Sequence, residues 1–160
     1  MRNYFSFLIL FLSVFSFAQT KTTYTVVDNK MTVIPRDLSG STAGIAAFIS
    51  TNFKTDNDKI RAAFHWTASN ISYDVANMFA VNFNETELEK ITKTVQTKKG
   101  VCSHYAAVFN DIAKKIGIES YIIEGYTKQN GKVGDLAHAW VAAKIDGQWF
   151  LFDPTWGAGY

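Results

Sequence analysis

The residues of this sequence that could do covalent chemistry are one cysteine, Cys102, and two candidate partners, His138 and Asp153. The chain contains no second cysteine, so Cys102 cannot form an internal disulfide. A thiolate is a strong nucleophile, an imidazole can exchange protons with it, and a carboxylate can orient the imidazole. These residue types predict acyl transfer through a thioester, with Cys102 as nucleophile, His138 as its proton partner and Asp153 as the residue that orients His138.

A predicted hairpin turn at Asp146-Gly147 brings two of these side chains together. Asp-Gly between two apolar runs is typical of a two-residue type I′ turn. Counting outward from that turn, Trp140 faces Asp153, and His138 lies two residues further along the same face. We therefore expect His138 and Asp153 to be diagonal neighbours, whereas a slip of one residue would place them on opposite faces of the sheet.

The element that must position Cys102 is a helix. Gly100 interrupts the chain, an apolar stripe at helical spacing runs from Tyr105 to Ile116, and Gly117 is typical of a helix end. Cys102 is therefore predicted at the first turn of this helix. The positive end of the helix dipole favours a thiolate there, and free backbone N–H groups could stabilise an oxyanion.

The rest of the pattern predicts helices before Cys102 and strands after it. This order predicts an α+β domain in which N-terminal helices and the Cys helix pack on an antiparallel β-sheet. The predicted elements are short strands at Tyr24–Val27 and Met31–Ile34, helices that begin at Ser41 or Thr42 and at Asp56–Asp58, a short helix at Glu85–Val95, strands at Ile118–Tyr126, Ala137–Ile145 and Gln148–Asp153, and a loop at Gln129–Gly134.

Three segments resemble the transglutaminase-like superfamily, and especially its microbial and kyphoscoliosis-peptidase-like branches. They are KKGVCSHYAAVFNDIAKKIGI, LAHAWVAAKIDGQWFLFDPTWG and, more loosely, KIRAAFHWTASNISYD. The family's Gly-x-Cys, His-Ala-Trp and Asp-Pro-Thr-Trp positions fall on Cys102, His138 and Asp153. The resemblance implies a papain-like core and a function among cross-linking transferases, peptidases, amidases and deglycosylating enzymes. The acidic calcium sites of animal transglutaminases are not evident.

The first 18 residues have the pattern of a secretory signal peptide. A short basic start precedes the apolar run Phe5–Phe17, and Ser16 and Ala18 form a small-x-small cleavage site. The run is about 13 residues long, whereas a membrane span needs about 20. We expect cleavage near Ala18, a secreted or periplasmic domain over residues 19–160, and no stable membrane insertion after cleavage.

Charge and composition narrow the possible partners. The chain has 16 basic and 14 acidic residues, which gives no reason to expect a nucleic acid as partner. We expect a protein or peptide substrate and no cofactor. The favoured function is an exported cysteine-nucleophile enzyme acting on amide or peptide bonds, as a peptidase, an amidase or a protein-glutamine transferase, with the peptidase preferred. The alternative is a non-catalytic interaction domain on the same fold.

Histidines offer a further alternative, a metal site formed by Cys102, His65, His104 and His138. Cys-x-His spacing is a weak metal signal, and there is no second cysteine to support it. We therefore interpret His65 and His104 as partly buried helix residues and predict no metal site.

Some residues are candidates for contacts with substrate. Trp156 could lie at the edge of a groove, and the loop Gln129–Gly134 is either a solvated turn or a lid. Asn70 and Tyr73 could add an oxyanion donor, although polar capping of a helix end is the simpler role. Because relatives usually continue beyond the Asp-Pro-Thr-Trp motif, the domain could also be C-terminally incomplete, which would leave an apolar sheet edge open.

Overall fold

A computed structural model describes residues 24–80 and 84–160 of the chain. The predicted signal peptide and its cleavage site lie outside the described residues. The helices are α1 (Thr25–Thr32), α2 (Arg36–Ser39), α3 (Thr42–Asn52), α4 (Asp56–Asn70), α5 (Glu87–Thr97), α6 (Cys102–Lys115) and α7 (Pro154–Gly157). The strands are β1 (Ser72–Tyr73), β2 (Lys99–Gly100), β3 (Ser120–Gln129), β4 (Lys132–Ile145) and β5 (Gln148–Phe152), and a 3-10 turn covers Val75–Asn77.

Helix α6 is the centre of the molecule. It packs against the helices α3, α4 and α5 and against the strands β3 and β4. Its apolar stripe accounts for this position, because Tyr105, Phe109 and Ile112 are completely buried. The three-stranded sheet has the order β3-β4-β5 and is antiparallel, and a separate two-stranded parallel pair joins β1 to β2. The predicted α+β architecture, with the Cys helix on an antiparallel sheet, is confirmed.

The β4–β5 hairpin has the predicted register. Ala142 pairs with Leu151, and Val141 pairs with Phe152. Asp146 has φ 50° and Gly147 has φ 81°, and positive φ at both central residues is the signature of a type I′ turn. The turn chemistry therefore fixes which residues of β4 and β5 share a face.

The prediction of two short N-terminal strands was wrong. Residues Thr25–Thr32 form α1, whose buried side chains are Val27 and Met31. These two positions are four apart, which places them on one face of a helix, and they join the core of the domain. The apolar residues of this segment occur as adjacent pairs, which made the helical spacing difficult to recognise in the sequence.

A second local prediction also needs correction. The segment predicted as a loop at Gln129–Gly134 is the tip of the β3–β4 hairpin, in which Asn130 has φ 50° and Gly131 has φ 79°. Asn-Gly is as strong a signal for a type I′ turn as Asp-Gly, so the sequence contained the information. The apolar spacing of the helix that begins at Asp56–Asp58 predicts an end near Tyr73-Asp74, but α4 ends at Asn70, because the chain then becomes extended to form β1.

The strand β5 forms one edge of the three-stranded sheet. Its side chains Trp149, Phe150 and Leu151 are all exposed, Leu151 to 71%.

Within residues 24–80 and 84–160, none of the helices combines the length and the apolar character that crossing a membrane requires.

Candidate active site

Cys102 is the first residue of α6, and it is positioned there by a pair of strands that are distant from each other in the sequence. Tyr73 of β1 pairs in parallel with Gly100 of β2, and the Asp74 N–H donates a hydrogen bond to the Gly100 carbonyl at 3.0 Å. Val101 follows in an extended conformation, and the helix then begins at Cys102. The thiol is partly buried and packs against the hydrophobic core. The predicted helix start is confirmed.

The first turn of α6 carries a histidine cap. Nδ1 of His104 accepts a hydrogen bond from the Val101 N–H at 3.3 Å, and Nε2 lies 3.8 Å from a Glu85 carboxylate oxygen. Burial lowers the pKa of His104, with the nearby Glu85 carboxylate acting in the opposite direction. The interpretation of His104 as a partly buried helix residue is confirmed, and the ring also holds the backbone just before Cys102.

The structure joins His138 to Asp153. Nε2 of His138 lies 2.6 Å from Oδ2 of Asp153, which confirms the contact predicted from the hairpin register. The second carboxylate oxygen, Oδ1, accepts hydrogen bonds from the N–H groups of Thr155 and Trp156, each at 3.0 Å. Asp153 is thus also the N-cap of α7. With both oxygens engaged, the carboxylate fixes the orientation of the imidazole.

Two indole rings contact the imidazole of His138. Trp156 stacks on it at 5.4 Å between ring centroids, and Trp140 is tilted against it at 5.9 Å. A cavity of about 250 Å³ lies beside this group, and its lining includes Thr127, Leu151 and both tryptophans. Trp156 therefore lies where the sequence predicted it, at the edge of a groove next to His138. The groove is mostly apolar and leads to the imidazole.

Tyr73 is the polar side chain that the structure associates with the thiol. Its ring contacts the rings of Tyr105, at 6.4 Å between centroids, and Tyr160, at 5.4 Å. Burial raises the pKa of Tyr73, and the charge of a Cys102 thiolate raises it further. Asn70, by contrast, donates to the Trp66 carbonyl at 2.9 Å within its own helix, which agrees with a capping role.

The thiol of Cys102 and the imidazole of His138 are not joined by a hydrogen bond. Within the described ranges, Cys102 makes no side-chain hydrogen bond, and Nδ1 of His138 has no hydrogen-bond partner. Side chains alternate along β4, so His138 points to the face opposite that of Ala139 and Val141, which are buried toward α6. The structure therefore shows a formed His138–Asp153 pair and a separate, partly buried thiol at the start of the helix.

The histidines do not converge on a metal site. His65 lies 3.6 Å from Asp28, His104 lies near Glu85, and His138 is bound to Asp153. In the described part of the chain, no three or more His, Cys, Asp or Glu side chains are grouped so that they could hold a metal ion.

Comparison with known proteins gives a consistent family. The model of the transglutaminase-like superfamily matches residues 43–154. Human kyphoscoliosis peptidase is 33% identical over 111 residues, a segment that is 66% of this chain and 16% of the human protein. The mouse kyphoscoliosis peptidase is 32% identical over the same length and over the same shares of both chains. This chain therefore corresponds to a small part of those relatives.

Solved structures share the fold. A candidate cysteine protease from Cytophaga hutchinsonii superimposes with a TM-score of 0.57 and 21% identity, over 73% of this chain and 37% of that chain. The periplasmic domain of TgpA from Pseudomonas aeruginosa gives a TM-score of 0.56 and 17% identity, over 82% of this chain and 48% of that chain. At these identities the likeness establishes the fold, and the predicted transglutaminase-like core is confirmed.

Proposed function

The chain belongs to the transglutaminase-like superfamily, and from that premise we propose that it is an exported cysteine enzyme that cleaves or transfers acyl groups of amide or peptide bonds. Cys102 is the nucleophile, His138 the proton carrier and Asp153 the residue that orients the imidazole. The observation that carries this proposal is the hydrogen bond between His138 and Asp153, whose carboxylate is itself held by the start of α7.

The reaction needs His138 in one tautomer. Because Nε2 faces the Asp153 carboxylate, it carries the proton and leaves Nδ1 as the acceptor. Nδ1 takes the proton of the Cys102 thiol, and the sulfur attacks the carbonyl carbon to form a tetrahedral oxyanion. The C–N bond then breaks, and His138 returns the proton to the leaving amine. Water or a second amine attacks the thioester, and the thiol is regenerated.

The thiol must approach Nδ1 for this sequence to occur. Cys102 is at the first position of α6, where the free N–H groups of the helix start favour a negative charge on sulfur and on the oxyanion. The half-buried phenol of Tyr73 is the side chain best placed to donate a further hydrogen bond there.

We favour a peptidase acting on a protein or peptide substrate. The apolar groove formed by Trp140, Trp156 and Leu151 next to His138 suits an apolar side chain beside the scissile bond. Export rests on the N-terminal leader pattern and predicts that mature protein begins at or near Gln19. N-terminal sequencing of the exported protein tests this, and a membrane-bound chain that still begins at Met1 would contradict it.

One observation favours a different function, an interaction domain on the same fold. The described residues include no hydrogen bond between Cys102 and His138. A protein without turnover could retain the His138–Asp153 pair as part of its structure and bind a partner through the exposed aromatic groove.

Covalent trapping separates the two functions. The wild-type protein is incubated with glutamine-containing peptides and with iodoacetamide at about pH 6, where an unactivated thiol reacts slowly, and Cys102 is followed by mass spectrometry. The enzyme gives a thioester adduct with peptide and rapid alkylation, and His138→Ala slows both. Cys102→Ser is the matched control and forms neither product. Alkylation only above about pH 8, unchanged in His138→Ala, would establish the interaction domain instead.

A further inference from the structure

His104 lies two residues after the nucleophile and has its own set of partners. Its side chain is only 16% exposed, and the Glu85 side chain beside it is only 11% exposed. The ring packs under β2 so closely that a Cβ added to Gly100 would lie 2.5 Å from the His104 Cβ. The histidine is therefore held between the strand that precedes Cys102 and the chain before α5.

The hydrogen bond that His104 accepts from the Val101 N–H requires a neutral ring. Nδ1 accepts from the Val101 N–H, so it cannot itself carry a proton, and Nε2–H points toward the Glu85 carboxylate. This bond is one half of a capping box, with histidine in place of the usual Glu or Gln at the third helical position, because the valine side chain at the N-cap cannot accept the reciprocal bond. Protonation would place two N–H groups face to face and break the cap.

The groups around His104 act in both directions. Glu85 and Asp74 are acidic and favour the imidazolium, whereas Lys90 and Lys93 of α5 oppose it. Lys99 of β2 lines a cavity together with His104 and Glu85. Burial is the largest effect and lowers the pKa of His104, so the ring is neutral at neutral pH and the cap is formed.

We propose that His104 is a positioning residue that holds Val101 and the first turn of α6, and with them the thiol of Cys102, only while its imidazole is neutral. The inference rests on the proposed function only for its effect on turnover. An imidazolium at this point also opposes the positive end of the helix dipole, which weakens the first turn further. The His138–Asp153 pair is on a different element and does not depend on this cap.

The first test measures the cap directly, by amide hydrogen exchange at Val101. Wild type is compared with His104→Gln, whose side-chain oxygen can accept the same bond but cannot be protonated. After correction for the intrinsic rate, wild-type protection falls about fivefold from about pH 7.5 to about pH 5, the factor expected for loss of one cap. In His104→Gln protection stays constant. His65→Gln, which changes the other partly buried helix histidine, behaves like wild type.

The second test measures the thiol. The alkylation rate of Cys102 and kcat/KM are recorded over the same pH range in wild type, His104→Gln and His104→Ala. His104→Gln retains most of the neutral-pH rate and exceeds wild type by about fivefold at about pH 5, whereas His104→Ala is about fivefold slower than His104→Gln at every pH. If His104 had a purely structural role, its substitution would lower the stability of the protein without changing the shape of the pH profile.

The results separate this inference from the proposed function. Val101 protection that follows pH in wild type and not in His104→Gln supports the positioning role even if the protein shows no turnover, a result that would overturn only the proposed function. Val101 protection that is independent of pH in wild type overturns the positioning role, whatever the activity. Identical pH profiles of wild type and His104→Gln for Cys102 alkylation overturn it as well.

Discussion

The two ends of the candidate site are built in different ways. At the histidine end, His138 and Asp153 lie 15 residues apart in one hairpin, and their hydrogen bond follows from the register of a single turn. At the cysteine end, Cys102 depends on β1 pairing with β2, a contact between chain segments that are distant in sequence. The hydrogen bonds of the described residues complete the first end, whereas the thiol at the second end has none.

This difference indicates which part of the site should be rigid. The Asp153 carboxylate is bound by His138 and by two backbone N–H groups, so the orientation of the imidazole is fixed before substrate arrives. The position of Cys102 depends on the short β1–β2 pair and on the His104 cap, and short pairs open more easily than a long hairpin. We infer that formation of the reactive Cys102–His138 pair is governed by the cysteine end.

The largest expected effect is the loss of the proposed nucleophile, Cys102. Cys102→Ser should lower kcat/KM by about 10⁴-fold or more, because a serine hydroxyl is far harder to deprotonate than a thiol. The fold should be retained, since the two side chains are similar in size. Steady-state kinetics and thermal unfolding of the same sample measure both. Turnover that survives the substitution would remove Cys102 from the mechanism and leave the cysteine end without a catalytic role.

The side chain of Asp153 caps α7 and orients His138, and two substitutions can separate these roles. Asp153→Asn keeps an oxygen that can cap α7 but no longer holds the Nε2–H tautomer of His138, so kcat should fall by about 10²- to 10⁴-fold with little loss of stability. Asp153→Ala should lose similar activity and, in addition, about 1 kcal/mol of unfolding free energy from the missing cap. Cys102 should still be alkylated in both variants, which is the control for an intact cysteine end.

Equal stability of Asp153→Asn and Asp153→Ala would show that the hydrogen bonds to Thr155 and Trp156 contribute nothing to the histidine end. Full activity of Asp153→Asn would show that the orientation of His138 is fixed by its tryptophan neighbours rather than by the carboxylate.

The two type I′ turns at the ends of β4 offer a matched test of the register. Gly147 has φ 81° and Gly131 has φ 79°, and an added Cβ would meet nothing within 4 Å at either position. Gly147→Ala and Gly131→Ala should therefore each cost about 1–2 kcal/mol of unfolding free energy, through backbone strain alone. Activity should fall mainly in Gly147→Ala, since that turn sets the pairing of β4 with β5 and hence of His138 with Asp153.

The Gly131 turn is isolated from the site by the irregularity between Tyr126 and Lys128 in the β3–β4 ladder. A change there should be absorbed before it reaches His138. Chemical denaturation and kcat/KM of the two variants give the comparison, and an equal loss of activity in both would show that the whole length of β4 responds as one unit.

The histidine end could be predicted from the sequence because local rules determine it. The Asp146-Gly147 turn and the period of two in a strand are sufficient to pair His138 with Asp153. The same rule would have identified the Asn130-Gly131 turn, which was predicted as a loop. The helices that carry clear caps, such as α3 with Ser41, were predicted correctly for the same reason.

The cysteine end could be predicted only in part. The start of α6 follows from Gly100 and the apolar stripe. The pairing of Tyr73 with Gly100, however, involves strands of only two residues, which are too short to show the alternation of apolar and polar residues that indicates a strand. The role of His104 as a cap was missed as well, since histidine is an unusual residue at that position and its partner Glu85 belongs to another segment. Contacts between distant segments depend on packing, which a single sequence does not display.

The smallest expected effect concerns the stability of the cysteine end as a function of pH. Because the pKa of His104 is lowered in the folded protein, the unfolded chain binds a proton more readily than the folded one. The stability that the neutral ring contributes is fully present above the ordinary histidine pKa, and it is lost as the pH falls through the lowered one. Over that acidic window, wild type should lose up to about 1 kcal/mol of unfolding free energy that His104→Gln retains. Urea denaturation of both proteins between about pH 7.5 and about pH 4.5 measures the difference.

His65→Gln serves as the control, because its effect on the unfolding free energy should not change over this pH window in the same way. Parallel stability curves for wild type and His104→Gln would mean that the start of α6 is no more sensitive to acid than the rest of the domain, and the distinction between a rigid histidine end and an adjustable cysteine end would then have to rest on the β1–β2 pair alone.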